Sequence, residues 1–121
     1  RQMCIRDSGK DIDNFTYGAE TYDGIILAAL AAEKGGSADG ETIQKNMAAV
    51  SGATGGDECT TYKDCVPAIK AGKDIKYKGL TGIGAFNKNN DPSSANIGVY
   101  VFDGDNKPVF DHTQEGKVPT D

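Results

Sequence analysis

The sequence predicts an α/β protein in which two or three helices are followed by short strands. Three observations carry this prediction: apolar residues recur at helical spacing through the first half, glycines close each of those runs, and apolar and polar residues alternate after Gly72. No alternating strand–helix–strand series is legible, so the chain is expected to be the closing section of a larger α/β protein rather than a complete domain. The composition agrees. Hydrophobic residues make up 37% and aromatics 7%, Trp is absent and Gly numbers 16, which describes a lean core with many tight turns.

The elements follow in order. Phe15-Thr16-Tyr17 is expected to be a short buried strand end. From Glu20 a helix is predicted, because Tyr22, Ile25, Ile26, Ala29, Leu30 and Glu33 fall at helical spacing. Its alanines at 28, 29, 31 and 32 favour the helix and allow close packing on a sheet, and Gly35-Gly36 ends it. Asp23 is read as a first-turn charge favoured by the helix dipole.

A second helix is predicted from Asp39 to about Val50. Asp39 caps it, Glu41 suits its positive end, and Ile43, Met47 and Val50 share a face. Ser51-Gly52 stops it, and Gly52 to Glu58 is expected to be a flexible loop. For the third helix two starts are open. Thr61 caps it with Asp64 in a variant capping box, or Asp64 is itself the cap and Pro67 falls in the first turn. Cys65, Val66 and Ile69 form its apolar side, and Gly72 terminates it.

Beyond Gly72 the alternation of Ile75-Lys76-Tyr77 predicts a strand, and the glycines from 79 to 84 predict a turn. Ile83 to Phe86 is expected to be a strand and Asn87 to Ser94 a polar turn. Ile97, Val99 and Val101 face one way and Tyr100 and Phe102 the other, as in a strand. Asp103-Gly104-Asp105-Asn106 is a hairpin signal, with Val109-Phe110 as a short returning strand. Gln114 to Asp121 is expected to be a frayed tail.

The net charge of −5 argues against nucleic acid and against an anionic membrane surface, both of which call for clustered positive charge. The longest apolar run, Ile25 to Ala32, is far short of the ~20 residues that span a bilayer. Arg1-Gln2-Met3-Cys4-Ile5-Arg6-Asp7-Ser8 resembles the translation of a transposon-end sequencing adapter, so residues 1–8 are set apart and native sequence is expected from Gly9 onward. With Cys4 set aside, Cys59 and Cys65 remain. They suit a disulfide closing a small loop, which belongs to an oxidising compartment. A zinc site and a pair of reduced thiols are the alternatives. Zinc takes about four ligands, and the sole histidine is His112.

No constellation for catalysis is legible. His112 has no nucleophile nearby in sequence. Asn87 to Asp91 lacks the glycine and the closing glutamate of an EF-hand, and Gly52 to Gly56 does not end in the Gly-Lys-Ser/Thr of a phosphate loop. These residues give no reason to expect an enzyme or a cofactor.

Tyr17-Gly18-Ala19-Glu20-Thr21-Tyr22-Asp23-Gly24, leading into an alanine-rich helix, opens a series of matching segments. Gly35-Gly36-Ser37-Ala38-Asp39-Gly40, the Cys59/Cys65 pair, and Gly72-Lys73-Asp74-Ile75-Lys76-Tyr77-Lys78-Gly79-Leu80-Thr81-Gly82 continue it, and Phe86-Asn87 with Asp91-Pro92 closes it. In that order they resemble the C-terminal part of type I periplasmic solute-binding proteins of the branched-chain amino-acid ABC transporter family. The likeness runs from Phe15 to Phe110. Asn87 replaces a common Asp, and Asn90 precedes Asp91 where Gly is usual.

The resemblance implies a two-lobe fold that closes around a small ligand and docks on a membrane permease, of which residues 9–121 are the last helices, hinge crossovers and terminal strands. It implies an amino-acid-like ligand, an extracytoplasmic location and no chemistry, with most ligand contacts lying upstream. Tyr17, Glu20 and Tyr22, at the start of the first helix, are the candidate ligand-binding residues. Glu20 suits an ammonium group, and the tyrosines suit the wall of a side-chain pocket. A free-standing secreted α+β module and the ligand-sensing domain of a receptor are the alternatives.

Overall fold

The computed structural model describes residues 17–117, which form three helices and two small two-stranded sheets. The chain is thus of mixed helix and strand, as the sequence predicts. Phe15 and Thr16, the adapter-like residues 1–8 and the end of the tail at 118–121 lie outside the described residues. Tyr17 does not end a buried strand. It is exposed and sits in the left-handed region (φ 62°) immediately before the first helix, α1 (Gly18–Gly35).

Helix α1 buries Asp23, Leu27, Leu30 and Ala31. This i, i+4, i+7, i+8 stripe differs from the expected one by a rotation about the helix axis. Tyr22 and Ile25 are left exposed, and Asp23 lies inside. Gly36 (φ 74°) ends the helix, its N–H bonding Ala32.

Asp39 caps α2 (Gly40–Ala48) as expected, accepting from the Thr42 N–H at 2.9 Å. A π-helical turn, Ala49–Ala53, extends it and buries Val50 and Ser51. Gly35 lets α1 and α2 approach closely, because a Cβ there would fall on the Thr42 methyl.

The stretch from Gly52 to Glu58 is not loop throughout. Strand β1 (Asp57–Cys59) forms there and pairs in parallel with β2 (Ile75–Tyr77), with Asp57 opposite Ile75. Between them runs α3 (Tyr62–Lys70), so the chain does contain one strand–helix–strand unit. Sequence alternation misses β1 because its residues are half-exposed or exposed and its pairing partner lies far along the chain.

Of the two open starts for α3, the structure takes Thr61. Its hydroxyl accepts from the Asp64 N–H at 3.2 Å and donates to the Asp64 carboxylate at 2.6 Å. Pro67 lies within the helix rather than in its first turn. Gly72 (φ 73°) closes α3, with Gly72 N–H on Ile69 and Lys73 N–H on Ala68.

The core gathers Leu27, Leu30, Ala31, Val50, Cys65, Ile69, Ile75 and Tyr77 from three helical segments and β2. Cys59 and Cys65 form a disulfide with Cα atoms 5.5 Å apart, tying the end of β1 to α3. Tyr62 Oη donates to Glu33 at 2.8 Å and Lys34 pairs with Asp74 at 2.9 Å, so the start of α3 and the approach to β2 are both held to α1.

The last third is a hairpin, β3 (Ser94–Phe102) with β4 (Pro108–Lys117). The turn forms where expected, Asp103 N–H bonding Lys107 O at 3.0 Å. The returning strand is much longer than Val109-Phe110. Gln114 to Lys117, expected to fray, pairs with 94–97, because a ladder can recruit polar residues that carry no strand pattern of their own. The register shifts between Val99 and Tyr100, a bulge in the ladder. Ile83 to Phe86, expected to be a strand, is an irregular segment with one isolated bridge from Phe86 to Pro92. Ile97, Tyr100, Val101, Phe102, Val109 and Phe110 are all substantially exposed on the hairpin.

Candidate functional site

A cleft of about 350 Å³ lies between α1, the segment after β2 and the base of the hairpin. This is small-molecule size, toward the low end for such sites. Helix α1 contributes Glu20, Gly24 and Leu27, which share one face at i, i+4, i+7. The segment after β2 contributes Thr81, Gly82, Ile83 and Phe86. Pro92 comes from the segment before the hairpin, and Ser94, Asn96 and Glu115 from the hairpin itself. Ser94 and Asn96 are two apart and so share a sheet face, and Asn96 stands opposite Glu115 in the ladder.

The irregular wall at 80–86 is held at both ends by buried polar side chains. At one end stands Asp23, fully buried in α1. It accepts from Tyr77 Oη at 2.9 Å, from the Leu80 N–H at 2.9 Å, from the Thr81 N–H at 2.9 Å and from the Thr81 hydroxyl at 2.8 Å. Gly79 (φ 59°) lets the chain pass this carboxylate, because any Cβ there would collide with it. At the other end the buried Ser51 hydroxyl accepts from the Phe86 N–H at 2.8 Å and donates to Ala48 O at 2.8 Å. Midway, the Ile83 N–H bonds Lys78 O at 3.1 Å.

The electrostatics of Asp23 follow from this enclosure. Burial pushes its pKa up, but the hydrogen bonds from Leu80, Thr81 and Tyr77 outweigh burial and hold it below the ordinary carboxylate value. Burial, then the Asp23 carboxylate, pushes the Tyr77 phenol up, so it stays protonated and donates. Asp23 is therefore no dipole-favoured surface charge, as its sequence position suggests. The helix stripe turns it inward, and three residues distant in the chain, Tyr77, Leu80 and Thr81, donate to it.

Of the three candidate ligand residues, Glu20 lines the cleft. Tyr17 and Tyr22 do not. Tyr17 is exposed before α1, and Tyr22, two residues on from Glu20, is turned to the other side of the helix and half exposed. Thr81, Asn96 and Glu115 were not legible as site residues. Asp23 at helical spacing from Leu27 and Leu30 was the one available signal for the anchor beneath them.

Among the described residues no group of three or more His, Cys, Asp or Glu side chains is placed to hold a metal ion, and no helix is long and apolar enough to cross a membrane. His112 bonds its neighbour Asp111 at 2.8 Å on the exposed face of β4. No family model, curated protein or solved structure matches this chain.

Proposed function

We propose that this chain is the C-terminal part of the substrate-binding component of an ABC importer for branched-chain or related amino acids or amides. It captures ligand between two lobes without chemistry and delivers it to a membrane permease. The cleft beside α1 carries this reading. It has the size for a small metabolite, it presents Glu20 for an ammonium group, and its walls are fixed before any ligand arrives, which lowers the ordering cost of binding. The ordered motifs from Tyr17 to Asp91-Pro92 support the family. The Cys59–Cys65 disulfide, a bond of oxidising compartments, supports an extracytoplasmic location.

Isothermal titration calorimetry tests the proposal. The intact protein encoded by the gene is titrated with leucine, valine, asparagine and aliphatic amides, beside residues 9–121 alone. The intact protein is expected to bind at least one of them with about micromolar affinity, and the shorter chain none of them tightly. Tight binding of leucine by residues 9–121, or no binding of the panel by the intact protein, contradicts it.

A further inference from the structure

We infer that the outer edge of β3 is a docking edge for the β3 of a second copy of this chain, the two strands pairing antiparallel across a two-fold axis to make one four-stranded sheet. The hairpin alone carries this, whatever the cleft binds.

Beyond its base at the cleft, no other helix or strand among the described residues packs on the hairpin, and its apolar side chains are exposed. A two-stranded ribbon is marginally stable in water, and further strands stabilise it. Its two outer edges differ. Strand β4 carries Pro108, Asp111, His112, Glu115 and Lys117, and proline and charge keep an edge from pairing. Strand β3 runs for nine residues, Ser94 to Phe102, without a charge or a proline. Its edge backbone is also open. The Asp103 N–H bonds Lys107 O across the ladder. By the alternation of an antiparallel pair, Val101 and Val109 then bond each other, while Tyr100 and Phe102 turn their N–H and C=O groups outward. Pro108, which has no N–H to give, stands opposite Phe102 and agrees with this phase. The Tyr100 ring does not screen the edge. It stands edge-on to Phe110 with ring centroids 5.7 Å apart, which draws it toward β4.

The absence of charge names the occupant. The chain has a net charge of −5, so two copies repel over most of their surface and meet best along a seam that carries none. Strand β3 against β3 is such a seam, because no antiparallel register opposes like charges. Two identical antiparallel strands are also self-complementary. Each bond that one copy makes is returned by the other, and the guarded β4 edges close the association at two. A charged partner segment would find no counter-charge on β3.

The experiment is analytical ultracentrifugation of the chain, with amide hydrogen exchange at the same concentrations. Cys4→Ser is introduced throughout, so that no copies are linked through that thiol. A monomer–dimer equilibrium is expected, with its midpoint between about 10 μM and 1 mM. As the dimer forms, exchange at the Tyr100 and Phe102 amides is expected to slow by about tenfold or more. The Phe110 amide, opposite Tyr100 and turned to the β4 edge, is expected to stay fast. Tyr100→Pro removes an outward N–H from each copy and is expected to weaken the dimer about tenfold. Tyr100→Thr keeps that N–H and is expected to dimerise as the parent does. The exchange pattern reads the unsubstituted edge, so it decides even where Tyr100→Pro disturbs the hairpin. A chain that stays monomeric at about 1 mM leaves the edge to a different strand and overturns the inference. So does growth beyond a dimer, association that leaves the Tyr100 and Phe102 amides as fast as Phe110, or equal weakening by the two substitutions.

Discussion

The Tyr77 hydroxyl donates to Asp23 Oδ1 at 2.9 Å with both side chains fully buried, joining the end of β2 to the second turn of α1. Among the described residues it is the one hydrogen bond between two fully buried side chains, and the segment lining the cleft follows directly from it. Removing Asp23 leaves the buried Tyr77 hydroxyl without its partner, which costs more than the bond itself contributes, whereas removing that hydroxyl leaves Asp23 its bonds from Leu80 and Thr81. Tyr77→Phe is expected to lower unfolding free energy by about 1 kcal/mol, and Asp23→Ala by about 3 kcal/mol or more, because the Leu80 and Thr81 N–H groups are stranded as well. Urea denaturation of the two single variants and the double variant checks this. In the double variant the costs are expected to fall short of their sum.

Stability should also depend on acid in a particular direction. The Asp23 pKa is lowered by folding, so its contribution is complete above the ordinary carboxylate range and is lost as the pH falls through the lowered value. Asp39 behaves likewise: its bonds from Ser37 and Thr42 hold its pKa down to about 2. The urea midpoint is expected to be flat above about pH 5 and to fall below about pH 4, with a shallower fall in Asp23→Asn.

Gly79 is a position beside the cleft wall at which a side chain is not tolerated. Its φ of 59° disfavours an L-residue, and a Cβ would overlap the Asp23 carboxylate. Gly79→Ala is expected to destabilise by about 2–3 kcal/mol and to weaken the Asp23 network as a unit. Gly104, in the hairpin turn with open space where a Cβ would stand, is the control, and Gly104→Ala should change thermal stability much less.

The Cys59–Cys65 bond closes a short loop, with a sequence separation of 6, so its entropic contribution is modest, about 2 kcal/mol. Alkylation without reductant, followed by intact-mass measurement, should modify no thiol other than Cys4. Modification of two further thiols in oxidised material would reject the bond. After reduction, the unfolding free energy should fall by about 2 kcal/mol, seen as a lower denaturation midpoint.

The hairpin should open first. Its strands contact each other extensively but bury almost nothing, and a two-stranded ribbon is marginally stable by itself. Hydrogen exchange is expected to be fastest at 96–114 and slowest at Leu27, Leu30 and Tyr77.

The helices and the turns were legible because their signals are local. Asp39 and Thr61 announce caps, Gly36 and Gly72 announce stops, and Asp103-Gly104 announces a turn, each within a few residues of the structure it makes. What escaped was decided at a distance. Strand β1 exists because Asp57 to Cys59 meets Ile75 to Tyr77, and Gln114 to Lys117 is a strand because 94–97 pairs with it. Residues 83–86 read as a strand because Ile83 and Phe86 are apolar. They serve instead to pack against the core, and their backbone is held by Ser51 and Lys78. In the site, Glu20 was legible from its place on the first turn. A helix read as starting at Glu20 makes Asp23 a solvated first-turn carboxylate; only the tertiary arrangement supplies its four donors, the Tyr77 and Thr81 hydroxyls and the Leu80 and Thr81 N–H groups.

The central claim is that this chain completes a larger two-lobe binding protein, and the coding DNA upstream of Gly9 tests it most directly. The account predicts a continuous frame that replaces Arg1 to Ser8 with native sequence and runs back through a first α/β lobe to a secretory or lipoprotein-type signal. A start codon just before Arg1, with Arg1 to Ser8 encoded in the genome, would contradict it and make the chain a small independent module.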